Sequence, residues 1–236
     1  MKSLKNWDNK TWLSSKKYIN SFNSFILNKK KLNRKSKILD IGCGRGKIFG
    51  SLSRKLLFVN KPIGIDPVQH KDVDKSIDFR NKDIFKFFKT NQNKFDLIMI
   101  KQTLHFLNKD KRKRLIKICK NNLTKNGVLL IISLNTLNNE IPCFKVMKQK
   151  LNKGLKRDFR MLNTACKMLK NNRIDKFIFK VSITKNKYIQ MLEQKYISCL
   201  VNLTKDQINK GINEIKENYP NKILFEDILI CIKYKH

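Results

Sequence analysis

The 236-residue sequence predicts an α/β fold: one open, mostly parallel, seven-stranded sheet with helices on both faces. Two observations carry this expectation. Short apolar runs alternate with helical stretches along the chain, and parallel strands need such crossovers. The apolar run Ile38–Ile41 also breaks straight into glycines 42, 44 and 46 and resumes as a helix, the outline of a strand–turn–helix unit.

Each element follows from its local pattern. Trp12, Leu13, Ile19, Phe22, Phe25 and Ile26 fall at helical spacing and predict an amphipathic N-terminal helix, which ends in the basic loop "NKKKLNRKSK". Then come strand "KILDI", helix "GRGKIFGSLSRKLL", strand "PIGID", short strand "SIDFR" and brief helix "DIFKFFK". Strand "KFDLIMI" leads to helix "KDKRKRLIKICKNNL"; Gly127 is expected to close the following connection before strand "VLLIISL". A long helical segment runs from Pro142 through "KMLKNN", with a break expected near Gly154. "KFIFKVSI" alternates as a strand does, helices are expected at 187–200 and 204–218, and "KILFEDILICIKYK" is the last strand. Thr204 and Gln207 carry the spacing of a capping box. The expected organisation is a single domain: an N-terminal helical segment 1–35, a core 36–135, and a helical cap with the last two strands at 136–236.

Composition narrows the class. Hydrophobic residues make up 41% of the chain, enough for a packed core. The longest apolar runs are far below the roughly 20 residues of a membrane span. The first residues carry no apolar leader, so a cytoplasmic protein is expected. The six cysteines form no C-x-x-C pair, which argues against a zinc site or disulfide framework; no metal is expected. A net charge of +35 would ordinarily point to nucleic acid, but it is carried by 44 lysines against 9 arginines and is spread along the chain. We read it mainly as a solvated surface.

The glycine spacing separates the nucleotide-binding options. A dinucleotide fingerprint would place its third glycine where Lys47 stands, and no Walker sequence occurs. What remains is D-x-G-x-G-x-G directly after a strand. "ILDIGCGRG" resembles the signature of class I S-adenosylmethionine (SAM) dependent methyltransferases, and the resemblance continues in order through "GIDP", "NKDIFKF", "FDLIMIKQTLHFL" and "LTKNGVLLIISL". The final third more loosely resembles the cap of small-molecule members related to trans-aconitate methyltransferase. The resemblance implies a Rossmann-like sheet whose last strand is antiparallel, and SAM as cofactor. It further implies that Gly42, Cys43, Gly44 and Gly46 bring main chain close to the cofactor, and that Asp40 binds its ammonium. Asp66 would take the ribose hydroxyls, Pro67 would lie by the adenine, Asp83 and Ile84 would meet the adenine edge, and Lys101 and Gln102 would face the methionyl end.

Candidates for the chemistry are fewer. His105 stands just past the fourth strand, on the crevice side of such a sheet, and is the candidate general base. His70 is expected in an exposed loop. Trp7, Trp12, Tyr18, Tyr188 and Tyr196 are candidates to close a pocket, and Arg157, Arg160 and Lys195 to meet an anionic substrate. Cys143, in the only Pro-Cys pair, is expected to be a small packed residue. The favoured function is methyl transfer to a small-molecule acceptor. RNA methylation and an inactive SAM-binding regulator are the alternatives.

Overall fold

A computed structural model describes residues 9–236. Strands β1 (Ile38–Ile41), β2 (Ile63–Asp66), β3 (Asp78–Asn81), β4 (Phe95–Lys101), β5 (Leu123–Leu134), β6 (Arg173–Thr184) and β7 (Lys222–Lys235) form one sheet in the order β3-β2-β1-β4-β5-β7-β6. β7 pairs antiparallel with both β5 and β6, and the other pairings are parallel. This is the expected Rossmann-like arrangement. Strand order reverses beside β1, so the carboxyl ends of β1 and β4 border a crevice.

Helices cover both faces. α1 (Lys16–Lys29) is capped by the Ser15 hydroxyl, which accepts from Tyr18 N, and buries Tyr18, Phe22 and Ile26 at four-residue spacing. With α2 (Lys47–Leu56) it covers the face carrying Ile38, Leu97, Met99 and Leu130. α3 (Ile84–Thr90), α4 (Lys109–Asn121) and the C-terminal half of α5 (Lys145–Met168) cover the opposite face, carrying Leu39, Ile41, Ile98 and Leu129. The N-terminal half of α5 packs with α6 (Lys185–Glu193) and α7 (Lys205–Asn218) into the cap. α7 opens with the capping box of Thr204 and Gln207 that its sequence announces.

Four local expectations are corrected. α5 runs unbroken through Gly154: Leu151 and Leu155 on either side are buried, and that packing outweighs one unfavourable residue of about 1 kcal/mol. Gly127 lies inside β5 rather than before it. The ladder to β4 shifts register between Phe95 and Leu97, and a β-carbon at Gly127 would sit 2.7 Å from the Phe95 carbonyl oxygen. The helix expected over 187–200 stops at Glu193; Lys195 takes φ +51° and a separate 3-10 turn covers Ser198–Leu200. His70 is 6% exposed rather than lying on an open loop, because its Nε2 turns inward to within 3.5 Å of Asp66 Oδ1.

No helix among the described residues is long and apolar enough to cross a membrane.

Candidate functional site

The glycine turn is built for close approach. Gly42, Gly44 and Gly46 all have positive φ, conformations that side chains resist. At Gly42 (φ +72°) a β-carbon would lie 2.0 Å from Thr103 Oγ1, so the turn and the end of β4 can meet only through glycine. At Gly44 (φ +55°) the same atom would meet nothing within 4 Å. That open position is where a ligand can reach bare main chain.

Two carboxylates flank it. Asp66, at the end of β2, accepts from Gly44 N through Oδ2 and from Val68 N through Oδ1, both at 2.9 Å. Oδ2 keeps a further lone pair, while Oδ1 also has His70 Nε2 at 3.5 Å. Asp40, in β1, is 4% exposed and its carboxylate makes no hydrogen bond to another described residue. Burial pushes its pKa up to about 7; the Lys101 ammonium opposes this and the Asp66 charge adds to it. A cation brought beside Asp40 would favour its charged form. A buried carboxylate with no donor among the described residues, next to the open main chain of Gly44, fits the ammonium of a ligand.

The remaining expected cofactor residues sit around this centre. The Cys43 thiol is held well above its ordinary range, chiefly by burial, so it is a packed neighbour of Gly64 rather than a nucleophile. Pro67 is exposed just beyond Asp66, and Asn81 Nδ2 donates to the Asp66 carbonyl at 3.1 Å, tying β3 to the same rim. Asp83 caps α3, its Oδ1 accepting from Phe85 N and Lys86 N, while Oδ2 makes no hydrogen bond among the described residues; Ile84 beside it is buried. The Lys101 carbonyl accepts from Thr103 Oγ1, and Gln102, at φ +50°, ends β4 in a conformation that non-glycine residues rarely take.

His105 lies two residues past Thr103, in the 3-10 turn Leu104–Phe106, with its Nε2 buried and without a hydrogen-bond partner among the described residues. Burial lowers its pKa to about 4; Asp158 opposes this, and Arg157 and Arg112 add to it. Its charged neighbours therefore belong to α4 and α5, and at neutral pH it is an uncharged ring packed on Phe106.

The cap candidates are largely used within the protein. Tyr188 and Tyr196 are buried; the Tyr188 hydroxyl donates to the Pro142 carbonyl, and the two hydroxyls are 3.1 Å apart. Lys195 Nζ donates to the carbonyls of Leu203 (2.5 Å) and Val201 (3.4 Å), Arg157 pairs with Asp158, and Arg160 is exposed. The thiol of Cys143 donates to the Ile141 carbonyl, and burial pushes its pKa up to about 12, as expected of a packing residue. Trp7 lies outside the described residues. Among those residues, no group of acidic, histidine or cysteine side chains could hold a metal.

Sequence reasoning passed over Asp227. On β7 the inward positions Ile223, Phe225, Leu229 and Cys231 are buried and apolar, and Asp227 breaks that period-two row. It is 2% exposed and its Oδ2 accepts from Trp12 Nε1 at 2.9 Å. The interruption of the alternation was the available signal.

Comparison with known proteins shows the family and the fold. A family model described as a methyltransferase domain matches residues 16–169. Carboxy-S-adenosyl-L-methionine synthase of Helicobacter pylori (strain HPAG1) is 32% identical over 111 residues, which are 44% of this chain and 45% of that protein, so the match spans less than half of that relative. Among solved structures, a putative methyltransferase from an antibiotic biosynthesis pathway of Anabaena variabilis superposes with TM-score 0.61 at 12% identity, over 89% of this chain and 95% of that one. The plantazolicin methyltransferase BpumL, solved with a monoazolic desmethylPZN analogue and SAH, superposes with TM-score 0.53 at 16% identity, over 98% and 88%. At such identities the structures establish the fold. The likeness of the cap to trans-aconitate methyltransferase relatives finds no support among these matches. The family expected from "ILDIGCGRG" does: the chain belongs to the methyltransferase domain family.

Proposed function

We propose that the chain transfers a methyl group from SAM to a small-molecule acceptor held beneath the cap. The observation that carries this reading is the open position at Gly44, flanked by the buried carboxylates of Asp40 and Asp66. When bound, SAM supplies a methyl group activated on a sulfonium. The protein's part is to bind, align and exclude water. Gly42 lets the turn close against β4, Gly44 leaves main chain open to the cofactor, Asp40 pairs with the ammonium, and the Asp66 carboxylate accepts from the ribose hydroxyls. Asp83 Oδ2 and Ile84 meet the adenine, Pro67 borders it, and the Lys101–Gln102 backbone faces the methionyl end. His105, neutral and turned to α5, serves as a wall rather than a base.

The cap supports a small acceptor: α6, α7, the start of α5 and the Trp12–Ser14 turn bring Tyr188, Tyr196 and Trp12 together into one apolar body above the sheet edge. A second reading, methyl transfer to RNA, is favoured by the exposed basic row Lys109, Lys111, Lys113, Arg114 and Lys117 on α4.

Calorimetry with S-adenosylhomocysteine tests the cofactor. Asp66→Ala should weaken binding by about 30- to 150-fold, on the order of 2–3 kcal/mol for two charge-assisted hydrogen bonds. Unchanged affinity in that variant would overturn the assignment. Label transfer from SAM at about 150 mM salt, into a small-molecule extract or into total RNA, separates the two readings.

A further inference from the structure

We propose that Asp227, with the Tyr18 hydroxyl beside it, is the proton-accepting centre of the acceptor site, and that the acceptor is a small hydroxyl- or amine-bearing molecule. The proposal rests on the methyl-transfer reading above.

Asp227 stands just beyond the carboxyl end of β5, whose following residue, Asn135, donates its N–H to the Ile228 carbonyl at 2.9 Å. Its side chain points into the core beneath α1. A lone carboxylate in an apolar row is unfavourable unless its oxygens are satisfied. Here only Oδ2 is, by the Trp12 indole; Oδ1 makes no hydrogen bond among the described residues. Tyr18 is wholly buried and its hydroxyl makes none either, although the Asp227 charge reaches it. Neither group bonds to the other. The Tyr18 hydroxyl, buried and unanswered, and Asp227 Oδ1, which accepts from no described residue, suit one ligand group that gives a proton to Oδ1 and accepts from the tyrosine.

Lys101 ties this pair to the cofactor side. Its ammonium lies 5.4 Å from the Phe22 ring centroid and 5.7 Å from that of Tyr18, and it acts electrostatically on both Asp40 and Asp227. The acceptor pair therefore borders a cation whose charge also reaches the carboxylate assigned to the cofactor ammonium. Among the described residues, the Trp12 indole, the Tyr18 hydroxyl and the Lys101 ammonium act on Asp227. Burial raises its pKa above the ordinary carboxylate range, against the Trp12 hydrogen bond and the Lys101 charge, which improves it as a base. A carboxylate acceptor would be repelled by Oδ1 and has no proton to give.

The step balances without further reagents. The acceptor's O–H or N–H proton passes to Asp227 Oδ1, the freed lone pair forms the bond to the methyl carbon, and the carbon–sulfur bond breaks with its electron pair left on sulfur.

The test uses the full chain, labelled SAM and the filtered small-molecule fraction of a cell extract, with S-adenosylhomocysteine affinity measured in parallel. Asp227→Asn keeps an oxygen for the Trp12 indole. It should leave that affinity within about twofold while lowering kcat about a hundredfold and removing the acid limb of the pH profile. Tyr18→Phe deletes only the unanswered oxygen; it should lower kcat/KM about tenfold, and it keeps the test decisive should Asp227→Asn not fold. The labelled product should survive alkali, as an ether or amine does and a methyl ester does not. An alkali-labile product, transfer into RNA alone, no transfer by a chain that binds S-adenosylhomocysteine, or both variants turning over within threefold of the parent overturns the proposal. Failure of the parent to bind S-adenosylhomocysteine overturns the methyl-transfer reading as well.

Discussion

The two halves of the crevice are built by different means. On the glycine-turn side, Asp40, Gly42, Gly44 and Asp66 lie within a short stretch of chain, and backbone contacts hold them: Gly42 N and Cys43 N both donate to the Ile65 carbonyl, and Gly44 N to Asp66. On the cap side, Trp12 and Tyr18 from the N-terminal turn and α1, Lys101 from β4 and Asp227 from β7 come from three distant segments and meet through side chains; the Trp12–Asp227 bond spans 215 residues. Backbone geometry sets the first side and tolerates almost no change in residue. Packing sets the second, so its identity can vary with the acceptor while the fold persists.

The sharpest way to break this contrast lies within the glycine turn. Gly42→Ala meets both a positive φ and Thr103 at 2.0 Å, so it should destabilise by about 2–5 kcal/mol. Gly44→Ala meets no protein atom and should cost only about 1–2 kcal/mol of stability, for its φ, while losing most cofactor affinity. Urea unfolding and calorimetry on the pair check this; equal stability losses would remove the distinction between a packing glycine and a ligand glycine.

On the cap side, Trp12→Phe keeps the ring contacts with Tyr196 and Phe225 but strips from a buried carboxylate its one hydrogen-bond donor among the described residues. A loss of about 1.5–3 kcal/mol is expected, measured by urea unfolding at pH 8. A loss no greater than that of an exposed aromatic would mean that side-chain contacts do not hold this half.

Asp40 compares function with stability on one residue. Its pKa is higher folded than unfolded, so protons favour the native state. Stability should fall as pH rises from about 4 to about 7, then level off with the cost fully present. Asp40→Asn should therefore raise unfolding stability at pH 8 by about 1–3 kcal/mol, with the gain vanishing near pH 4, while weakening S-adenosylhomocysteine binding. For the parent, that binding should weaken as pH drops below about 7, where Asp40 loses its charge. Gly154→Ala gives the smallest effect, since a β-carbon there meets nothing within 4 Å: a gain of about 0.5–1 kcal/mol, read as a rise in Tm. A loss would show that the unbroken α5 depends on the glycine.

What could be read along the chain follows the same division. The strand–helix alternation, the D-x-G-x-G-x-G turn and the acid ending β2 were legible because each depends on local conformation: a strand end, positive φ, a short reach. Their register with the later strands named the family and the fold, with β7 antiparallel. Local pattern misjudged the places where packing overrides preference. Gly154 stays helical because Leu151 and Leu155 are buried, and Gly127 joins a strand because β4 lies against it. His70 turns in toward Asp66. Spacing in the sequence fixes what lies within a few residues of a turn. Only the closed tertiary structure could bring Trp12, Tyr18 and Lys101 around Asp227, because burial and electrostatic contact between remote segments exist only once the sheet and cap have packed.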